Sequence, residues 1–314
     1  MTRVLVLGGT GFVGRHVCEK LARLQWHATV PTRRLHNARE VLTLPLVQPL
    51  QVDVHDEAAL TRLVAGHDAV VNLVAILHGS EAAFDKTHVQ LPQKLARACT
   101  ATGVRRLVHV SALGAALDAP SMYQRSKARG EQALHAAGLD LTLLRPSVIY
   151  GAEDRFLNLF ARLQGLFPFM PLAGADTRFQ PVWVEDVAQA VVNALQQPAS
   201  VGQTYEAVGP DVLTLREIVQ LAGRLTGNER PVIGLPAAIG KLQALLMELA
   251  PGEPLMSRDN IASMAVDNVA TGRLPGLAAL GIAPASIGAV APGYLGVRGL
   301  RSSLSSMRKT AGRF

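Results

Sequence analysis

Residues 4–14 read Val4-Leu-Val-Leu-Gly8-Gly-Thr-Gly11-Phe-Val-Gly14. Four apolar residues suit a buried strand, and a glycine cluster at GxxGxxG spacing follows at once, opening into the amphipathic run from Gly14 to Leu24. That spacing lets the chain turn tightly, brings backbone N–H groups against a pyrophosphate and packs helix on strand. The helix N-terminus adds partial positive charge toward the phosphates. Gly8, Thr10, Gly11, Phe12, Val13 and Gly14 are therefore the expected cofactor-binding residues, and residues 1–150 the expected Rossmann domain.

Outward from this turn, strand-like and helix-like runs alternate at the spacing of βαβ units. Strands are expected at Val4–Leu7, Ala28–Pro31, Leu50–Val52, Ala69–Leu73, Leu107–Val110 and Leu141–Leu144, with helices at Gly14–Leu24, Phe84–Thr100 and Tyr123–Ala137. Right-handed crossovers make this an α/β fold with a doubly wound parallel sheet. Beyond Gly151 the alternation weakens and prolines punctuate shorter segments, so residues 151–293 read as a smaller α/β lobe interleaved with the first domain around residues 180–210.

At the end of the second strand an NAD-preferring site carries an acid for the ribose 2′-hydroxyl. Here the chain reads Pro31-Thr-Arg33-Arg34, with no acid until Glu40. Paired guanidiniums suit a 2′-phosphate, so NADP(H) is the preferred cofactor and NAD(H) the alternative. Asp53 and Val54 follow the third strand toward the adenine, with Asp53 equally placed to cap the next helix. After the fourth strand, Leu73, Val74 and Ala75 should line the cofactor groove.

Ser111 follows the fifth strand, and Tyr123-Gln-Arg-Ser-Lys127 comes next. One helical turn separates Tyr123 from Lys127, so both side chains share a face and can reach the nicotinamide end of the cofactor. A cationic lysine favours phenolate, so Lys127 is expected to lower the Tyr123 pKa. Tyr123 then serves as general acid or base while Ser111 polarises a carbonyl. Arg145 and Pro146 should end the sixth strand beside the nicotinamide, with Val148 just beyond, unless they serve packing alone.

Together GGTGFVG, NLVA, VSALGA, YQRSKARGE, RPSVIYG and PVWVEDVA resemble the short-chain dehydrogenase/reductase superfamily in its extended or atypical branch, over about the first 210 residues. The stretch RPSVIYGAEDRFLN, through Glu153, Asp154, Arg155, Phe156, Leu157 and Asn158, is similar to the accessory NAD(P)H-binding subunit of respiratory complex I and its bacterial relatives. The resemblance implies an NAD(P)H-binding oxidoreductase acting on a small or lipophilic carbonyl. Its alternatives are an NADPH-holding accessory or assembly protein linked to quinone metabolism, and a nucleotide-sugar epimerase or dehydratase. Sugar-nucleotide enzymes of this branch usually show RxxNxYG, and Val148 stands where that asparagine would be. Valine donates no hydrogen bond to a substrate pyrophosphate, which weakens the last alternative.

Composition narrows the remaining classes. Apolar residues make up 49% and charged residues 18%, as in a globular protein with a large core. Cys18 and Cys99 sit in apolar helical patterns and read as packing residues, and nine scattered histidines form no HxxxH pair, so no metal site is expected. No signal peptide opens the chain, which points to the cytoplasm. The 24 uncharged residues from Leu274 to Val297 contain three prolines and five glycines, which argues against a membrane span.

Six of the seven net positive charges lie after Asp267, where no acid occurs: Arg273, Arg298, Arg301, Arg308, Lys309 and Arg313. With Val297, Leu300, Leu304 and Met307 at helical spacing, residues 294–314 read as a basic amphipathic tail suited to an anionic membrane surface, peripheral to the inner face of the cytoplasmic membrane. The same stripe could dock on the protein itself. No nucleic-acid-reading pattern is present.

Overall fold

The computed structural model describes residues 2–249 and 255–296. Seven parallel strands form the main sheet: β1 (Arg3–Leu7), β2 (His27–Thr32), β3 (Val47–Gln51), β4 (Ala69–Asn72), β5 (Arg106–Val110), β6 (Asp140–Pro146) and β7 (Thr204–Ala207). Their order is β3-β2-β1-β4-β5-β6-β7. β1 shows why both faces are covered. Val4 and Val6 point into one apolar core with Val17, Cys18, Leu21, Val187 and Val191, while Leu5 and Leu7 enter a second with Leu60, Leu91, Leu95 and Leu134. A strand buried on both faces is apolar throughout, and the period of two divides it between two helical layers.

Helices α1 (Phe12–Arg23), α2 (Glu57–Val64), α3 (Glu81–Asp85), α4 (Leu91–Thr102) and α5 (Met122–His135) supply most of the cover in the first half. Cys18 and Cys99 are both buried, and burial pushes each thiol up to about 12. β3 lies earlier than expected, at Val47–Gln51, because Pro49 is tolerated in this edge strand, where a missing N–H leaves no ladder gap.

The helix expected over Phe84–Thr100 is also interrupted, by a π-helical turn at Lys86–Gln90. Pro92 explains the widening: it has no N–H for the His88 carbonyl four residues back, and its ring would strike that oxygen in a regular helix. The released carbonyl leans on α5 at Gly130, where any Cβ would stand 2.0 Å from it. Glycine is required there by contact alone.

In the lobe, α6 (Leu157–Leu166), α7 (Val184–Gln196), α8 (Leu215–Thr226), α9 (Ala237–Glu248) and α10 (Arg258–Ser263) join three short strand pairs. α7 returns to pack on α1, and β7 joins the sheet edge beside β6. Glu185 at the start of α7 accepts from Lys20 at 2.8 Å and meets His16 Nδ1 at 2.7 Å, and the His16 contact chiefly holds its carboxyl down at about 2. The lobe core gathers Tyr150, Leu157, Phe160, Leu172, Phe179, Ile218 and Val219.

Leu295, 6% exposed, belongs to that core, and the Tyr294 hydroxyl donates to Asp154 Oδ2 at 3.1 Å. These two members of the expected tail therefore dock on the protein itself. Residues 297–314, with the remaining basic and apolar positions of that tail, lie outside the described residues. Among the described residues no helix is long and apolar enough to cross a membrane.

Candidate functional site

The sheet order reverses between β1 and β4, and in open α/β sheets ligands bind in the crevice beyond the strand ends at such a point. The glycine turn after β1 abuts the segment after β4 there: a side chain on Gly8 would lie 3.1 Å from the Leu73 carbonyl carbon and the Val74 nitrogen. Asn72 holds the second wall, its Oδ1 accepting from Val74 N–H at 3.2 Å. Gly11 caps α1 with no side-chain hydrogen bond, and a Cβ on Gly14 would stand 2.2 Å from the Gly8 oxygen. The turn thus has no room for a side chain at Gly8 or Gly14, and the first N–H groups of α1 have no side-chain cap, which suits a bound pyrophosphate.

Arg33 and Arg34 are both exposed just after β2, and neither forms a salt bridge among the described residues. Asp53 is exposed and accepts from His55 N–H at 3.0 Å. It does not cap α2; that cap is Asp56, which accepts from Ala59 N–H at 3.1 Å. Pro146 ends β6 and accepts from Leu113 N–H at 2.8 Å, and the Val148 carbonyl accepts from Val182 N–H at 3.0 Å. The Arg145 guanidinium holds Glu131 of α5 in a two-pronged pair. That strut fixes α5 one turn beyond Lys127.

The structure brings Ser111 and Lys127 to the same strand end. Ser111 N–H donates to the Leu144 oxygen at 2.7 Å, so the chain continues pairing with β6 past the end of β5. Lys127, 2% exposed, donates from Nζ to the Val110 carbonyl at 3.2 Å. The same Nζ lies 6.0 Å from the centre of the Tyr123 ring. The buried Ser111 Oγ has no hydrogen-bond partner. An unpaired hydroxyl in such a place costs free energy unless a ligand uses it.

The expected lowering of the Tyr123 pKa is not what the structure gives. Burial pushes the phenol up to about 12, and burial also pulls Lys127 down to about 8, with Glu131 partly opposing. Loss of water outweighs the cation's pull on the phenol. At neutral pH the pair is a neutral phenol beside an ammonium, which can give a proton to a developing alkoxide.

Two histidines at this site were not singled out from sequence. His88, on the π turn, stacks its ring edge-on against Tyr123 with centroids 5.4 Å apart. Its Nε2 accepts from Ile76 N–H at 3.1 Å, so the neutral ring carries its proton on Nδ1 and donates to Ser126 Oγ at 2.9 Å. Ser126 in turn donates to the Tyr123 carbonyl at 2.7 Å. His109 sits behind, its Nδ1 3.1 Å from the Asn72 amide nitrogen. The available signal was a polar residue at position 88 within the buried stripe of Phe84, Leu91 and Leu95.

Burial, aided by Lys127, holds His88 at about 2 and His109 at about 3. The unfolded chain takes up protons near the ordinary 6.5 while the folded one refuses them, so stability is full above that pH and falls as pH drops toward 3. Each histidine should cost about 2 kcal/mol between pH 6.5 and 5. Urea midpoints measured across that range should fall, and His109→Gln should flatten the slope. An unchanged slope in that variant contradicts the assignment.

The segment 153–158 acts as a brace. Asp154 accepts from the backbone N–H groups of Gly151, Phe156 and Asn158, and Glu153 reaches Arg15 at the start of α1. The model of the NAD dependent epimerase/dehydratase family matches residues 4–207. The chain is 32% identical over 286 residues to NADH dehydrogenase (ubiquinone) 1 alpha subcomplex subunit 9, mitochondrial, from Mus musculus, covering 89% of this chain and 76% of that protein. It is 30% identical to ceramide reductase from Caulobacter vibrioides, covering 74% and 73% respectively. Among solved structures, an NADPH-dependent quinone oxidoreductase from Escherichia coli complexed with NADPH superposes with a TM-score of 0.76 at 20% identity, covering 93% of this chain and 99% of that one. With sequence and fold in agreement, the chain belongs to the NAD dependent epimerase/dehydratase family and has the NAD(P)-binding fold of extended short-chain dehydrogenases/reductases.

Proposed function

We propose that this protein is an NADPH-dependent reductase of a lipophilic carbonyl compound. The observation that carries the reading is the unpartnered, buried Ser111 hydroxyl at the strand end that also receives Lys127. A protein that only stores a dinucleotide has no need of this set. NADPH supplies the hydride when bound. Ser111 Oγ–H donates to the carbonyl oxygen and orients it, and the Tyr123 hydroxyl gives that oxygen its proton, so the product is the alcohol and the phenolate regains a proton from solvent. The Lys127 cation stabilises the phenolate while it lasts, and two of its N–H groups are free of the Val110 carbonyl for a ligand.

A cavity of about 770 Å³ in the lobe supports an apolar substrate. Ala173, Leu235, Ile261 and Met264 line most of its apolar wall, Pro120 of the loop before α5 adds to it, and Asp176, Arg216 and Lys241 stand at its charged side. Ceramide reductase among the relatives points the same way. The acid-free basic stretch after Asp267 supports attachment to an anionic membrane surface, where such substrates reside.

For the cofactor, Arg33 and Arg34 favour NADPH. Replacing both by alanine should weaken NADPH about 10–100-fold and leave NADH nearly unchanged in calorimetric titration. Equal affinities for both cofactors in the parent protein would remove this part of the proposal.

The mitochondrial relatives named for NADH dehydrogenase favour a second reading, an accessory subunit that holds NADPH for structural reasons and meets a quinone-pathway partner. Mixing the NADPH-loaded protein with quinones, lipophilic ketones and nucleotide sugars separates the readings. Loss of NADPH fluorescence with a lipophilic carbonyl supports the reductase; a cofactor that no acceptor oxidises supports the accessory subunit.

A further inference from the structure

We infer that Asp259, on α10 of the lobe, is a positioning residue that fixes Tyr123 by capping the N-terminus of α5. The first turn of a helix leaves backbone N–H groups without partners in the helix. In α5 the N-cap Ser121 satisfies only Gln124 N–H, at 3.1 Å. The two donors before it are met from far along the chain: Asp259 Oδ1 accepts from Met122 N–H at 2.6 Å and Oδ2 from Tyr123 N–H at 3.0 Å. Each carboxylate oxygen thus serves one orphan donor, and the negative charge faces the positive end of a helix of 14 residues. Asp259 is 9% exposed, so little water stands ready to replace it.

The cap is itself held firmly. Ser257 and Asn260 form a reciprocal capping box at the start of α10, with Asn260 Oδ1 accepting from Ser257 N–H at 2.9 Å and Ser257 Oγ accepting from Asn260 N–H at 3.1 Å. Ile261 and Ala262 of the same short helix wall the lobe cavity. One rigid element therefore touches both the cavity and the backbone nitrogen of Tyr123. From the side, Phe84 and His88 hold the tyrosine ring, with centroids 6.1 and 5.4 Å away. Those rings limit its sideways movement, and Asp259 sets its position along the helix axis.

The catalytic consequence rests on Tyr123 being the proton donor of the proposed reduction, whereas the placement does not. The test uses the full chain with NADPH bound and tyrosine labelled with carbon-13 at Cζ, the Tyr123 signal being identified by its loss in Tyr123→Phe. Asp259→Ala should shift the Tyr123 resonance and leave those of Tyr150, Tyr205 and Tyr294 in place. It should also slow hydride transfer about 10–100-fold with NADPH affinity within about twofold, the size expected for a misplaced reacting group. Asp259→Asn keeps one acceptor oxygen and should fall between the parent and alanine in both readouts. A folded Asp259→Ala protein with an unmoved Tyr123 resonance overturns the inference; a shifted resonance with an unchanged hydride-transfer rate keeps the placement and overturns its catalytic consequence. If alanine does not fold, asparagine decides by the same two readouts. If no acceptor oxidises NADPH bound to the parent, the proposed reduction fails, and the Tyr123 resonance alone still decides the placement.

Discussion

Replacing Tyr123 by phenylalanine is expected to slow NADPH oxidation by about 10²–10⁴-fold while leaving NADPH affinity within about twofold. The substitution removes only the hydroxyl. The ring keeps its contacts with Phe84 and His88, and the helix keeps both caps, Ser121 and Asp259. Because burial holds the phenol at about 12, the parent carries the transferable proton throughout the neutral range. Stopped-flow fluorescence measures the rate and calorimetry the affinity. A variant that loses NADPH binding would show a structural tyrosine, and one that turns over like the parent would assign the proton to another group.

The second large effect is expected at Gly14. A methyl group there would stand 2.2 Å from the Gly8 oxygen and 2.5 Å from the Gly9 Cα, distances that no rotamer relieves because both atoms are backbone. The turn must open, and with it the start of α1, where the proposal seats the pyrophosphate. Gly14→Ala should lower NADPH affinity by at least about 100-fold and cost about 3 kcal/mol or more of stability, as backbone strain in a packed turn does. Gly293→Ala is the matched control, since a Cβ there meets nothing within 4 Å. Parent-like NADPH affinity in Gly14→Ala would mean that the dinucleotide does not lie against this turn.

Much of this arrangement is legible in the sequence because it is local. β1, β2, β4, β5 and β6 are short apolar runs, and the glycine turn and the Tyr123–Lys127 spacing each fall within two helical turns. What escapes depends on contacts between distant segments. β7 is four residues, one of them the buried Glu206, which reads as polar until Thr271 supplies its partners at 2.8 Å. The π turn follows from Pro92 only once Gly130 is seen to admit the His88 carbonyl. Asp259 lies 136 residues from Tyr123 and has no neighbouring motif to announce it. The direction of the Tyr123 shift escapes for the same reason. Spacing revealed the lysine, but the depth of burial that outweighs it belongs to the packed fold.

A single-turnover experiment with NADPH deuterated at the transferable C4 position tests the proposed reduction most directly. The loaded protein is mixed with a lipophilic ketone in excess, and the products are examined by mass spectrometry. The predicted result is one deuterium on the carbinol carbon for each NADPH oxidised, with the Tyr123→Phe protein giving little or none in the same time. Bound NADPH that keeps its label in the presence of every ketone and quinone tried would contradict the reductase and leave the dinucleotide a structural role.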